Sequence, residues 1–481
     1  MRKQVFNPYL PSFEYIPDGE PYVFGDRLYV YGSHDKFGGK EYCENDYVCW
    51  SAPVNDLSDW KYEGVIYRKS SHPEDKLHRR TCLYAPDVVK GPDGRYYLYY
   101  SMNGSSIMSV AVCDTPAGEY TYYGDVVDTE GKPVGYYAGD YMQFDPSIFI
   151  DDDGRVYLYS GFAPDADEDG AGRRMPGCHV SELEPDMLTV KSGPRLLIPK
   201  EWKIEEGAAY FEAPSMRKIN GRYYFVYSAK VTGLFYYYSD YPDRDFIFGG
   251  RIHSTSDVGI NGHSVEFPAY PLGNIHGGIV ELNGQYYIFD HRHTNHCAYN
   301  RQGVAEPIYF DENGLIAQVE ATSCGLNGGP LEGKGTYPAY IACNLFYEKG
   351  IDKANRFACV KQDIADVTDM EDLMKSETEP VGYIHDISDG CVIGYKYFAV
   401  NEPLCNITFM LRGHAKGVLA VALAEKGEAV GSLELEIDTD DCWQRVTVPV
   451  DISCGKVALF FRYRGEGRFD MQEFELNCVK R

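Results

Sequence analysis

The chain has 481 residues, 42 of them Tyr and 49 Gly, and a formal net charge of −26. That length allows two or three domains with a large core, while the acidic balance argues against a nucleic-acid partner, which needs a basic surface. No run reaches the ~18 apolar residues that span a bilayer, so no membrane partner is expected. The N-terminus, MRKQVFNPYLP, lacks the apolar stretch of a secretory signal. The 14 Cys are scattered, with neither a CxxC pair nor zinc-ligand spacing. Together these predict reduced, mostly buried thiols in a cytoplasmic protein, with a disulfide-bonded secreted form as the alternative.

Residues 1–20 form an approach segment rich in Pro and aromatics. The first hairpin follows as EPYVFGDRLYVYG (20–32), then YVCWSAP as a third strand and DLSDW as a turn. The hairpin phrase recurs as PDVVKGPDGRYYLYYS (86–101), QFDPSIFIDDDGRVYLYSG (143–161), PSMRKINGRYYFVYS (214–228) and HGGIVELNGQYYIFD (276–290). Two apolar runs around a Gly-containing turn read as a β-hairpin. DDDG (151–154) is such a turn, since the downstream ligands of a calcium loop are missing. Aligned on the hairpins, Tyr29, Tyr97, Tyr157, Tyr224 and Tyr287 are equivalent, at spacings of 68, 60, 67 and 63 residues. In the second copy MSVAVCDTP (108–116) and AGEYTYYGDVV (117–127) supply two further strands. Four-stranded units at this period predict a five-bladed β-propeller over residues 1–325. A solenoid would have shorter repeats, and no long helical period supports an α/β barrel.

Gly-rich CGLNGGPLEGKGTYP (324–338) then reads as a linker or ring-closing segment. Residues 339–481 give FACVKQ, CVIGYKYFAV, CNITFMLRG, GVLAVALAE, SLELEID, QRVTVPVD, KVALFFRYR and MQEFELN as short strands. Their spacing predicts a separate β-sandwich, so the whole chain is expected to be all-β.

In a propeller, residues just ahead of each inner strand ring one mouth of the central channel. Here they are Asp18 and Glu20, Asp87, Asp145, Glu212 and His276. A single Asp in such a place is ordinarily a turn cap. Carboxylates converging from segments more than 60 residues apart repel one another, which raises at least one pKa. Such a set suits general acid and base work, as in glycoside hydrolysis.

These same segments resemble family 43 glycoside hydrolases, which are five-bladed propellers. The likeness covers residues 5–320 and rests on FDPSIFIDDDGRVYLYSG, YAPDVVKGPDGRYYLYYS, FEAPSMRKINGRYYFVYS and NIHGGIVELNGQYYIF, in that family's order once placed along the chain. It implies that Glu212 is the general acid and Asp145 the aspartate that tunes it. The general base belongs at the start of blade one, where relatives carry Asp-Pro and this chain has Pro17-Asp18-Gly19-Glu20-Pro21. Matching the following YVF favours Asp18, with Glu20 as the competitor. His276 matches a channel histidine beside calcium or an ordered water, so it is a candidate metal or substrate contact, or simply a buried pore residue. Arg301, in YNRQGVAEP, resembles an arginine that reaches the sugar or the acid pair; the alternative is a surface salt bridge. Asp87 is a sugar contact or a structural carboxylate. Trp50 and GSHD (32–35) are candidates to shape the sugar subsite, against core packing for Trp50. HRHTNH (291–296) reads as mouth or channel lining rather than a metal site.

The resemblance implies an inverting hydrolase acting on oligosaccharides and releasing terminal xylose or arabinose, a β-xylosidase or α-L-arabinofuranosidase. The alternatives are an endo-acting α-L-arabinanase and a non-catalytic glycan-binding propeller. No cofactor is required for the chemistry, although calcium could sit in the channel or in the second domain. GCVIGYKYFAV with GEGRFDMQEFEL (465–476) resembles family 6-type carbohydrate-binding modules, implying a jelly roll. The sequence leaves the oligomeric state open.

Overall fold

The computed structural model describes residues 3–73, 81–202, 204–349, 358–362 and 382–478. Among these residues the regular structure is β apart from three single-turn 3-10 helices. Four sheets of four antiparallel strands and one of three follow one another along the first two thirds of the chain. Their innermost strands are Glu20–Phe24, Asp87–Lys90, Ser147–Ile150, Glu212–Ile219 and Ile279–Leu282. Each pairs with a second strand that carries one of the periodic tyrosines. Asn220-Gly221 and Asn283-Gly284 close two of these hairpins with φ of 52° and 82°, and 54° and 81°. Only Asn and Gly tolerate that conformation cheaply, and its twist matches that of the strands.

The tyrosine excess has a structural cause. Tyr31, Tyr99, Tyr159 and Tyr224 bury their rings between blades, and their hydroxyls donate to Pro116, Met187, Pro242 and Gly314 carbonyls in the next blade. A ring with a polar tip fills the interface and satisfies an edge carbonyl in one residue. Around the channel the inner strands are stitched by side chains. Tyr22 donates to Asp87 (2.6 Å), Asp87 accepts from the Ile148 N–H (2.7 Å), and Ser147 accepts from the Met216 N–H (3.0 Å). Arg217 bonds Glu20 at 2.5 Å and the Ile279 carbonyl at 2.9 Å.

The fifth blade departs from the expected four strands. Gln285–Thr294 and Cys297–Ile308 are long, and no fourth strand pairs beyond them among the described residues. The N-terminal segment lies there instead. The Tyr9 N–H reaches the Gly303 carbonyl (3.4 Å), and the Asn7 side chain bonds the Ala305 carbonyl (2.9 Å) and N–H (3.0 Å). The start of the chain thus closes the ring.

The second unit is a curled, sandwich-like sheet around one core that includes Leu345, Ile393, Phe409, Phe461 and Phe474. The segment read as a linker contributes to it. Leu331–Glu332 pairs with Phe398–Ala399, and Gly335–Pro338 pairs with Glu473–Leu476. Strand pairing of this unit therefore begins at Leu331 rather than at 339. Six of the expected short strands fuse into three long ones, Leu404–Ala422, Ala429–Ile452 and Gly455–Cys478. Gly417 faces Gly465 across the ladder, and a Cβ on Gly417 would sit 2.1 Å from the Arg464 carbonyl. Glycine lets the strands bend there without breaking, where turn composition had suggested an end. FACVKQ yields Cys359–Gln362, while Phe357 lies outside the described residues. All 14 Cys are unpaired thiols.

The two units share a polar interface. Buried Lys396 reaches Asp257 (2.9 Å) and Glu320 (3.0 Å), and Asn344 also bonds Asp257 (2.9 Å). Arg292, on the second strand of blade five, donates to the Ala342 and Tyr340 carbonyls.

Candidate active site

Asp18, Asp145 and Glu212 line one cavity of about 330 Å³ at the channel mouth, together with His276 and Arg301. Each carboxylate is fixed by unusual backbone. Asp18 and Asp145 have φ of 58° and 47°, and Ala213, directly after Glu212, has 64°. For a residue with a Cβ the left-handed region costs about 1–2 kcal/mol. In blade four the strand register also shifts between Glu212 and Ser215, a bulge that re-aims the Glu212 side chain.

Arg301 is nearly inaccessible (1%). Its Nε and Nη2 form a fork on Asp35 at 2.8 and 2.9 Å, and its Nη1 reaches Asp18 at 3.0 Å. Burial alone would raise the Asp18 pKa, but the Arg301 guanidinium outweighs burial and holds it at about 2. Asp18 is therefore ionised at neutral pH. Its N–H donates to His291 Nδ1 (3.1 Å), and His291 Nε2 donates to the Asn274 carbonyl (2.8 Å). Burial pushes the His291 pKa well below its usual range, so the ring is neutral with its proton on Nε2.

The Asp145–Glu212 pair behaves in the opposite way. Burial raises Asp145 well above the usual carboxylate range, and the charges of Glu212 and Asp18 raise it further. Burial also raises Glu212, followed by the charge on Asp18 and opposed by Arg301. The pair thus holds a proton into the neutral range. Asp145 faces the Ala213 N–H and lies 3.6 Å from His276 Nδ1. It therefore lies against the peptide next to Glu212, whose direction is set by the bulge. The Glu212 carboxyl makes no side-chain hydrogen bond among the described residues and is half-buried, facing the cavity.

Sequence reasoning did not find the walls. Phe144, Phe162 and Phe211 form a continuous aromatic side, with ring centroids 4.9 and 5.1 Å apart, and Tyr84 packs edge-on against Phe144. Opposite them Tyr42 lies under the Arg301 guanidinium and edge-on to Tyr299. Phe144 and Phe211 immediately precede Asp145 and Glu212, a positional signal the sequence did carry. Cys43 and Asn274 complete the lining. Asp35, part of the GSHD stretch, serves as the anchor for Arg301.

Two candidate sugar contacts are corrected. Asp87 does not line the cavity. It is fully buried in the channel, its oxygens taken by the Tyr22 hydroxyl and the Ile148 N–H. Trp50 lies in the blade-one core, where its indole N–H donates to Glu14 at 2.6 Å. Glu20 sits deeper than Asp18 and is committed to Arg217. Within HRHTNH, His291 and His293 support the site, while Arg292 faces the second unit. Arg301 is not a surface ion pair but the buried cation of the site.

Residues 7–316 match the profile of glycosyl hydrolases family 43. A xylosidase/arabinosidase of Thermoclostridium stercorarium is 46% identical over 490 residues, covering 99% of each chain. Xylosidase/arabinosidase 43A of Humicola insolens is 28% identical over 63% of this chain and 96% of its own. Among solved structures, an arabinoxylan arabinofuranohydrolase of Bacillus subtilis in complex with cellotetraose has a TM-score of 0.51 at 19% identity. That comparison covers 98% of this chain and 97% of the other. The GH43_1 enzyme of Xanthomonas citri complexed with xylose has a TM-score of 0.52 at 24% identity, over 64% of this chain and 92% of its own. The structural likenesses bear on the fold.

Proposed function

The chain belongs to glycosyl hydrolases family 43, and from that membership we propose that it hydrolyses terminal xylose or arabinose from oligosaccharides by inversion, with Asp18 as base and Glu212 as acid. The observation that carries the assignment is the placement of two carboxyls on one cavity in opposite settings: Asp18 paired with the buried Arg301 guanidinium at 3.0 Å, Glu212 facing the cavity without a cation, which favours the charged form of one and the protonated form of the other.

In the reaction Asp18 takes a proton from water as its oxygen bonds the anomeric carbon. The glycosidic C–O bond breaks, and Glu212 gives its proton to the departing oxygen. Asp145, beside the Ala213 peptide, keeps Glu212 aimed and shares the pair's proton with it, since two buried neighbouring carboxyls do not both ionise. Solvent exchange then returns the proton from Asp18 to the acid pair. A cavity of about 330 Å³ is at the small end of ligand sites, which suits one terminal sugar and an exo mode of attack.

Side chains accept one proton and supply the other, so the chemistry needs no cofactor. Calcium in the channel does not fit the residues there. His276 Nε2 and Glu20 Oε1 are two buried atoms of the channel without a hydrogen-bond partner among the described residues, 3.9 Å apart, and Arg217 already occupies the other Glu20 oxygen. Calcium takes six to eight oxygens, and a guanidinium alongside repels it; a bridging water suits these two atoms better. No cluster of three His, Cys, Asp or Glu side chains that could hold a metal occurs among the described residues, the second unit included.

The test is release of p-nitrophenol from the β-D-xyloside and the α-L-arabinofuranoside. Turnover of at least one is expected. Asp18→Asn should stay inactive even with this activated leaving group, because water still lacks its base. Glu212→Gln should recover activity as the leaving group improves. No turnover of either pentoside, or of xylo- and arabino-oligosaccharides, would sink the proposal.

A further inference from the structure

Asn274 is the cavity residue for which neither chemistry nor packing has yet given a reason. It precedes the channel histidine by two residues, is half-buried and faces the space enclosed by Asp18, Asp145 and Glu212. Two histidines hold it from behind. His291 Nε2 donates to its carbonyl at 2.8 Å. His293 Nε2 lies 3.1 Å from that same carbonyl and 2.9 Å from the side-chain Oδ1.

These contacts determine which way the amide faces. A backbone carbonyl can only accept, so the nitrogen of His293 beside it must carry the hydrogen. That hydrogen is shared with Oδ1. Turning the amide over would set the NH₂ group against an N–H, leaving two donors in contact. Oδ1 therefore points back at His293, and Nδ2 is left with two hydrogens and no partner among the hydrogen bonds of the described residues. The approach depends on Gly273, where a Cβ would sit 2.0 Å from His293 Nε2. The carboxylates of the cavity can accept hydrogen bonds, and the nitrogens of Arg301 are already spent on Asp18, Asp35 and Cys43.

Resting on the hydrolase reading above, we infer that Asn274 binds the terminal sugar, donating from Nδ2 to the oxygen of one ring hydroxyl, with His293 as the positioning residue that fixes the amide. The cavity then has a donor for that hydroxyl oxygen, where a carboxylate could only accept its hydrogen. A hydroxyl recognised in this way is also a point of discrimination between pentoses, because xylopyranose and arabinofuranose place their hydroxyls differently around the anomeric carbon.

A cycle of protein and substrate changes tests this. The wild type, Asn274→Ala and Asn274→Asp are assayed on the p-nitrophenyl pentoside the enzyme turns over and on its monodeoxy analogues. In the wild type, one deoxy analogue should lose about tenfold in kcat/KM beyond the others, the scale of one neutral hydrogen bond. Asn274→Ala should lose a similar factor on the parent and show no further loss on that analogue. Asn274→Asp, which has the shape but not the donors, should behave like Ala.

His293 supplies the second arm. His293→Phe, with Asn274 intact, should erase the same selectivity because the amide is free to turn. His293→Gln, whose amide N–H replaces Nε2–H, should restore it. A purely structural Asn274 would lower activity equally on every analogue, and that uniform loss overturns the inference. So does selectivity unaffected by His293→Phe, which also serves should Asn274→Ala fail to fold. A wild type that turns over the parent pentoside but shows no selective deoxy penalty refutes this inference alone. A wild type that turns over no pentoside refutes the hydrolase reading as well.

Discussion

Replacing Arg301 by Met, together with Asp35→Asn so that no second buried carboxylate is orphaned, isolates the force that keeps Asp18 ionised. Two full charges 3.0 Å apart attract by ~5 kcal/mol at an effective dielectric of about 20. At 1.36 kcal/mol per pKa unit that corresponds to roughly four units. Asp18 starts from about 2, so without the guanidinium burial prevails and its pKa rises to ~6 on the same scale. The acid limb of kcat/KM, below pH 4 in the wild type, should then appear near pH 6. The assay is the pH profile on an aryl pentoside with an activated leaving group, where the acid Glu212 contributes least. Stability should follow with the matching sign. In the wild type the lowered Asp18 pKa contributes stability above the unfolded value of 3.8, and this is lost as pH falls from there toward 2. In the double variant the raised pKa reverses this, and the protein gains stability as pH falls through ~6. An acid limb that stays below pH 4 in a folded double variant would refute the role given to Arg301.

The other predictions concern the acid pair, the interface and the corrected residues. Asp145→Asn removes the carboxyl whose titration is coupled to that of Glu212, so the alkaline limb of kcat/KM should move to lower pH, with a lower kcat where Glu212 is less well aimed; an unchanged limb counts against coupling. Lys396→Met leaves Asp257 and Glu320 facing one another without a cation, and should cost about 3–5 kcal/mol in thermal or denaturant unfolding. Adding Asp257→Asn should recover part of that loss. Trp50→Phe removes the donor to buried Glu14 and should cost about 1–3 kcal/mol of stability, with KM on aryl pentosides unchanged, because the residue does not reach the cavity. A raised KM would return Trp50 to the sugar subsite.

The propeller was legible because its signal is a repeat. Five tyrosines at nearly constant spacing mark five copies of a hairpin that cannot bury its faces alone. What repeats is the inner pair of strands, so the outer parts of each blade were less visible. Among the described residues the fifth blade has no outer strand, and its edge is covered by Asn7 and Tyr9 from the other end of the chain. A contact spanning some 300 positions leaves no local trace. The second unit was misread at its glycines for a related reason. Gly413, Gly417, Gly465 and Gly467 look like turn residues along the chain. Across the ladder they prove to be places where two backbones approach within the radius of a Cβ, as at Gly417 and Gly467.

The site divides along the same line. Carboxylates fixed to the start of an inner strand inherit the repeat, so Asp145 and Glu212 could be located from blade order alone. Asp18 and Glu20 could not be separated that way, since residues two apart along a strand share a face. The fold separates them through backbone conformation. A left-handed Asp18, held by its N–H on His291, turns its carboxylate to Arg301 and the cavity, while Glu20 begins the strand and points to Arg217 in the channel. The distinction therefore lies in blade five, some 270 residues away in sequence. That blade is in turn held by Arg292, which faces the second unit from between His291 and His293. Alternation along a single strand thus sets two histidines behind Asp18 and Asn274 and turns the arginine between them to the neighbouring unit. On this geometry the second unit braces the strand whose His291 accepts the Asp18 N–H.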